Sequence, residues 1–436
     1  MNDRSEALKL KFTELLNWVE LCGQRGAEPR LSSEEELEAW IELARGRLME
    51  LLNKTDDCSL EPDDLNTIRE KRPSGGRKLA DALPGIPRFF DRLRGAILGR
   101  CAGCVLGAPV ELWSMERIKI FAKVIGEAHP PVDYWSRVAD PETIHCTHDY
   151  RYLFERGQMK HVPVDDDLAY MLVNLFVLER FGANYSTANI AAVWDELLPV
   201  AYTAEKKALE NYRNGVDVID CGGKDNPYVD WIGAWIRSDT WGYVAAGWPE
   251  KAAELAWRDA MLSHRKSGVY GAMFFSAAIA AAFTVDDPLE AIRIGLTEIP
   301  ANCRFAEAIH WALARCDDLK DFEYARCMVD DRFAGMSHVH AENNACLVVF
   351  GLALGGMDFT KTIGQTVAMG MDNDCTAATA GSILGAIVGS KGIERKWTKP
   401  FEGRMRTYLN GVPLLDIEDV CKRMMVQAEL VWQEVG

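Results

Sequence analysis

The chain has 436 residues, 48% of them hydrophobic, and a formal net charge of −16 from 49 Lys and Arg against 65 Asp and Glu. That length holds one large domain with an appendage or two ordinary domains, and the composition excludes collagen-like, mucin-like and wholly disordered chains. The acidic balance argues against a nucleic-acid backbone or an anionic membrane as main partner, while leaving room for a local basic pocket that holds a phosphorylated small molecule.

The first residues, MNDRSEALKLKF, lack the apolar core of a secretory signal, so a cytoplasmic protein is expected. The longest apolar runs, 271–283 and 382–388, fall short of the roughly 20 residues of a membrane-spanning helix, and no membrane partner is expected. Among 12 cysteines only Cys101 and Cys104 form a CxxC pair, with no second pair or His pair to complete a zinc set. Buried reduced thiols are the preferred reading.

The first 52 residues read as two amphipathic helices. Ser33 and Glu36 have the spacing of a capping box, followed by an apolar stripe at Leu37, Trp40, Ile41, Ala44 and Leu48. A polar stretch from Asn53 to about Pro84, containing KRPSGGRK, reads as a linker. The expected division is therefore an N-terminal helical extension and linker, 1–85, and a catalytic domain, 86–436.

From there helical spacing dominates and strict alternation is hard to find, which predicts an all-α, orthogonal bundle of many helices. Gly95, Gly99, Gly103 and Gly107 recur every four residues, which on a helix clears one ridge for a neighbouring backbone. Glycine costs about 1 kcal/mol against alanine inside a helix, so a ladder needs a packing reason. Gly107, before Ala108-Pro109, equally suits a turn. Glu111 follows just beyond.

Asp165, Asp166 and Asp167 directly precede a periodic run (Leu168, Met171, Leu172, Leu175, Phe176) that Gly182 closes. Carboxylates at a helix start can simply cap it, and this triplet alone favours capping over metal binding. Apolar stretches at 249–262, 271–283, 302–315, 344–355 and 376–389 predict further helices. Between them Trp231, Arg237 and Asp239 stand in an aromatic-rich stretch that reads as core somewhat better than as a base-stacking wall. His264, in SHRKSG, and the pair His338 and His340 default to structural roles, with His264 the first candidate for substrate contact. The Cys221–Lys224 turn is weak evidence for a phosphate.

Asp372 and Asp374 open the last small-residue helix, which carries a second ladder at Gly381, Gly385 and Gly389. Carboxylates bounded this closely by apolar chain are hard to leave solvated. Hard oxygen ligands from two helix starts suit Mg²⁺, Mn²⁺ or Ca²⁺.

Taken together, LGAPVE (106–111), DDDLAYML (165–172) and MDNDCTAATAGSILGAIVG (371–389) occur in the order seen in the ADP-ribosylglycohydrolase family, which this chain resembles over about 90–400. The resemblance implies that Asp166, Asp167, Asp372 and Asp374 hold two Mg²⁺ ions, with Mn²⁺ possible as the metal, and that Glu111 serves the attacking water. Asp165 and Cys375 stand where the family usually has Thr ligands. A carboxylate there adds charge, and a thiol is a poor Mg²⁺ ligand, so these two departures mark a divergent branch. The implied activity is cleavage of an N- or O-glycosidic bond of ribose in an ADP-ribosylated molecule. A smaller riboside as substrate, or a catalytically silent protein like the family's jellyfish lens crystallin, stays open. The residues leave the oligomeric state open as well.

Overall fold

The structure is a computed structural model and describes residues 38–48, 50, 60–75, 77–83, 85–137 and 151–433. The chain forms two compact units, one of residues 1–60 with 333–336 and one of 61–332 with 337–436. In the first, residues 38–48 are helical as expected, while the Ser33–Glu36 capping box and the preceding helix lie outside the described residues.

Among its described residues the larger unit is built of helices joined by loops, with one two-stranded antiparallel ribbon. Its first helices are Leu65–Lys71 (α1), Ile86–Gly107 (α2), Met115–Ile125 (α3), Asp166–Phe181 (α4), Thr187–Leu197 (α5), Thr203–Arg213 (α6) and Asp239–Val244 (α7). Then come Pro249–Ala260 (α8), Lys266–Ala282 (α9), Pro288–Gly295 (α10), Arg304–Leu313 (α11), Phe322–Arg332 (α12) and Ala341–Gly355 (α13). Phe359–Ala368 (α14), Asn373–Val388 (α15), Arg395–Thr398 (α16) and Ile417–Gln433 (α17) complete it. The ribbon pairs Arg404–Arg406 (β1) with Leu414–Asp416 (β2). Strands of three residues are too short for alternation to announce them.

Residues 61–83 are not the solvated connector that their polarity predicts. Asp64 caps α1, accepting from the Thr67 N–H at 2.9 Å. Arg72 and Arg77 both close on Glu298, whose side chain is fully buried. The basic cluster is therefore half of an ion-pair clamp. A lone buried carboxylate is costly, and two guanidinium groups offset that cost.

The two glycine ladders meet. A Cβ built on Gly95 would strike the Gly385 carbonyl, one on Gly99 the Gly381 carbonyl, and one on Gly103 the Ala377 carbonyl. Gly107, the last residue of α2, lies against the backbone of Asp374. One chain ascends as the other descends, so α2 and α15 run antiparallel in backbone contact. The glycine penalty is offset by packing that no longer side chain permits. By length and composition α2 and its extension, Ile86–Val110, could cross a membrane, yet 94% of its apolar window is buried inside the fold.

Candidate metal centre

Because α2 and α15 are antiparallel, the end of α2 meets the start of α15. Glu111 lies one 3₁₀ turn (Ala108–Val110) beyond α2, and its carboxylate comes within 4.8 Å of donor oxygens of Asp372 and Asp374. Asp165, Asp166 and Asp167 form a second group of mutually close donor atoms, and Asp167, Asp374 and the Cys375 sulfur a third. Residues from three separate stretches of sequence thus share one acidic centre.

The two helix starts use their carboxylates differently. Asp165 is the N-cap of α4 and accepts from the Asp167 N–H at 2.9 Å, so the helix opens at Asp166, earlier than its apolar run. Asp372 occupies the N-cap position of α15 but makes no side-chain cap bond. Its backbone is held instead by Asn344, whose Oδ1 takes the Asp372 N–H at 3.3 Å. Asp372 is 4% exposed and Asp374 3%. Oδ1 of each is buried without a hydrogen-bond partner among the described residues.

Arg100 is the residue that sequence reasoning missed. It rises from the middle of α2, fully buried, and donates to Asp167 Oδ1 at 3.0 Å, to the Asp167 carbonyl at 2.8 Å and to Asp239 Oδ2 at 2.8 Å. A single charge in the apolar, glycine-rich second half of α2, residues 95–107, is the signal that could have found it. Burial works against its charge, but Asp239 and Asp167 outweigh burial and raise its pKa. On the far side Cys375 donates its S–H to Asp167 Oδ2 at 3.1 Å.

Burial is the largest influence on each of the five aspartates here. It pushes Asp166 up to about 6, with Asp372 adding to the rise. It pushes Asp167 up to about 7 even though Arg100 pulls the other way. Asp374 stands well above the ordinary range through burial and then Glu111, and Asp165 through burial and then Asp167. Asp372 is raised as well, again by burial. Burial thus favours the protonated form of these carboxyls. The carboxylate donors are hard oxygens and two are buried without partners, so the acidic residues fit Mg²⁺ or Mn²⁺.

Three weaker candidates lie in the buried interior. Arg237 is fully buried, bonded to Asp259 Oδ1 at 2.9 Å, Glu205 Oε1 at 2.7 Å and Ser263 Oγ at 2.7 Å, and lies 4.7 Å over the Trp194 ring. Asp239 is spent on Arg100 and on the Tyr243 hydroxyl at 3.1 Å. His264 is fully buried against Ser263, at 2.7 Å, and burial holds its pKa well below the usual value, so it is a neutral core residue. All three are buried in the scaffold, and of their side-chain polar atoms His264 Nε2 has no hydrogen-bond partner among the described residues. Trp231 is half-buried, edge-on to Tyr228 at 4.6 Å, and its backbone bridges to His340. Two tyrosines that sequence reasoning did not single out feel the acidic cluster. Burial and then Asp166 raise the pKa of both Tyr202 and Tyr408. The Tyr408 hydroxyl is buried with no partner among the described residues.

The family model of the ADP-ribosylglycohydrolases matches residues 86–429. The chain belongs to the ADP-ribosylglycohydrolase family. Membership supports a hydrolase and agrees with the all-α fold and with acidic groups placed to hold a metal. A solved structure described as an ADP-ribosylglycohydrolase-related protein complex is similar at TM-score 0.51 and 19% identity, covering 80% of this chain and 99% of that one. At that identity the likeness shows the fold alone. Comparison with curated proteins gave no match. The family match begins at Ile86, where α2 starts.

Proposed function

We propose that this ADP-ribosylglycohydrolase-family chain is a divalent-metal-dependent hydrolase that cleaves a glycosidic bond of ribose in an ADP-ribosyl conjugate. The observation that carries the reading is the meeting of Glu111 with Asp372 and Asp374, whose Oδ1 atoms are buried and unpartnered. Asp166, Asp167, Asp372 and Asp374 would hold two Mg²⁺ ions, which when bound supply Lewis acidity and a chelate for vicinal hydroxyls.

The protein's own groups do the rest. Glu111 is exposed at the rim of the cluster and accepts the proton of the attacking water. The carboxylates around it favour the positive charge that develops on the ribosyl carbon as the bond breaks. Arg100 fixes Asp167 from behind, so that one of its oxygens keeps a constant direction. The glycine seam sets the distance between Glu111 and Asp374, and positioning of this kind supplies a large share of a barrier reduction.

The test is a release assay over a panel of ADP-ribosylated proteins, free ADP-ribosyl compounds and simple ribosides, run with Mg²⁺ and with a chelator. Metal-dependent release of ADP-ribose supports the reading. Release only from simple ribosides moves the substrate to the smaller class, and no release from any compound overturns the proposal.

A further inference from the structure

Cys375 sits in the first turn of α15, 6% exposed, where it faces the carboxylates and not the apolar core. Its sulfur is 3.1 Å from Asp167 Oδ2, and the other oxygen of Asp167 is held by Arg100 at 3.0 Å. Asp167 therefore has no oxygen clear of a partner, and a cation approaching Oδ2 meets the sulfur beside it. The third side of that position is Asp374, whose donor oxygen lies within 4.8 Å of both and whose Oδ1 is buried and unpartnered. Two donors on one tetrahedral ion, with a metal–sulfur bond of about 2.3 Å and a metal–oxygen bond of about 2.1 Å, stand about 3.5 Å apart. At 3.1 Å, Cys375 and Asp167 are already close to that spacing.

We propose that the position bounded by Asp167, Asp374 and Cys375 binds a thiophilic divalent cation of the Zn²⁺ class, with the Cys375 sulfur as a ligand. It rests on the acidic cluster being a metal centre, and adds that one of its positions is a mixed sulfur and oxygen site. On binding, the thiol proton leaves to water and the sulfur–metal bond replaces the hydrogen bond to Asp167. Arg100 keeps its hold on the opposite oxygen. Soft sulfur among hard carboxylates shifts preference toward Zn²⁺ and Cd²⁺ and away from Mg²⁺. Cys104 is the natural comparison: it also lies beside an acid of the cluster, Asp165, whose pKa it lowers, but joins no three-donor group among the described residues.

Co²⁺ reports the ligand set directly and stands in for Zn²⁺. Titrated into the metal-free full chain, it should give visible d–d bands together with a near-ultraviolet thiolate-to-cobalt band. That band should vanish in Cys375→Ser and persist in Cys104→Ser. Cd²⁺ affinity should fall by about tenfold or more in Cys375→Ser, while Mg²⁺ affinity stays within about threefold. The wild-type spectrum needs no variant, so a misfolded Cys375→Ser cannot obscure the outcome. Visible bands without the thiolate band, or a thiolate band lost only in Cys104→Ser, overturn the sulfur ligand and leave the oxygen-ligated centre standing. No cobalt spectrum and no heat of Mg²⁺ binding overturn both.

Discussion

The Leu112 N–H donates to the Met371 carbonyl across 2.9 Å, and both residues hold left-handed backbone, with φ of 58° and 63°. This bond ties the residue after Glu111 to the residue before Asp372. Neither Leu nor Met favours positive φ, and such residues persist where the surrounding fold over-determines them, often at functional sites. Half of the Leu112 side chain is exposed, so its conformation is separable from core packing. Leu112→Asn, which tolerates the left-handed region, should stabilise the fold by about 1 kcal/mol, read as a higher melting temperature. An unchanged or lower value removes strain from the account of this turn.

The seam between α2 and α15 makes a sharper prediction. Gly99→Leu or Gly385→Leu pushes a side chain into the facing carbonyl and should cost about 1–3 kcal/mol or more by denaturant titration. Gly85→Ala, at a glycine with open space around it, should stay within about 0.5 kcal/mol. Equal effects at the two positions would mean that the helices separate at little cost.

Glu111→Gln keeps the shape of the side chain and removes its basicity. Turnover should fall on the order of 10²–10⁴-fold while Mg²⁺ binding, followed by calorimetry, is largely retained. A fully active variant takes Glu111 out of the chemistry.

The raised carboxyls set a pH dependence whose sign can be worked out. Asp166 at about 6 and Asp167 at about 7 bind protons in the fold that the unfolded chain, with a carboxyl near 3.9, has released. Between about pH 4 and 7 the native state carries the extra protons, so raising pH in that window destabilises the metal-free protein. A bound cation displaces those protons and removes the penalty. The rise in melting temperature on adding Mg²⁺ should therefore be larger at about pH 7.5 than at about pH 5. An equal or smaller rise at the higher pH separates these carboxyls from metal binding.

Much of this centre was legible in the chain because its signals are local. A four-residue glycine spacing and two acidic helix starts can each be read within one turn or two, whereas Glu111 enters only through the family resemblance, and the fold brings them together. Asp165 answered to the capping expectation for its triplet, whereas Asp372 fills the cap position of the other acidic helix without a cap bond. Arg237 and Asp239, whose stretch reads as core somewhat better than as a ligand wall, have partners that the chain does not announce: Glu205, Asp259 and Arg100 reach them from distant helices and make a buried network. Tyr202 and Tyr408 carry no local signal, since only tertiary packing brings both to the acidic cluster. The clamp of Arg72 and Arg77 on Glu298 was hidden likewise, because composition cannot distinguish a solvated basic run from one with a buried partner.

The measurement closest to the central claim is anomalous diffraction from crystals grown with Mn²⁺ and without chelator. The account predicts one or two anomalous peaks bounded by Asp166, Asp167, Asp372 and Asp374, with Glu111 beside them. Well-ordered carboxylates with no peak among them, at Mn²⁺ concentrations that saturate other Mn²⁺ sites, would contradict it.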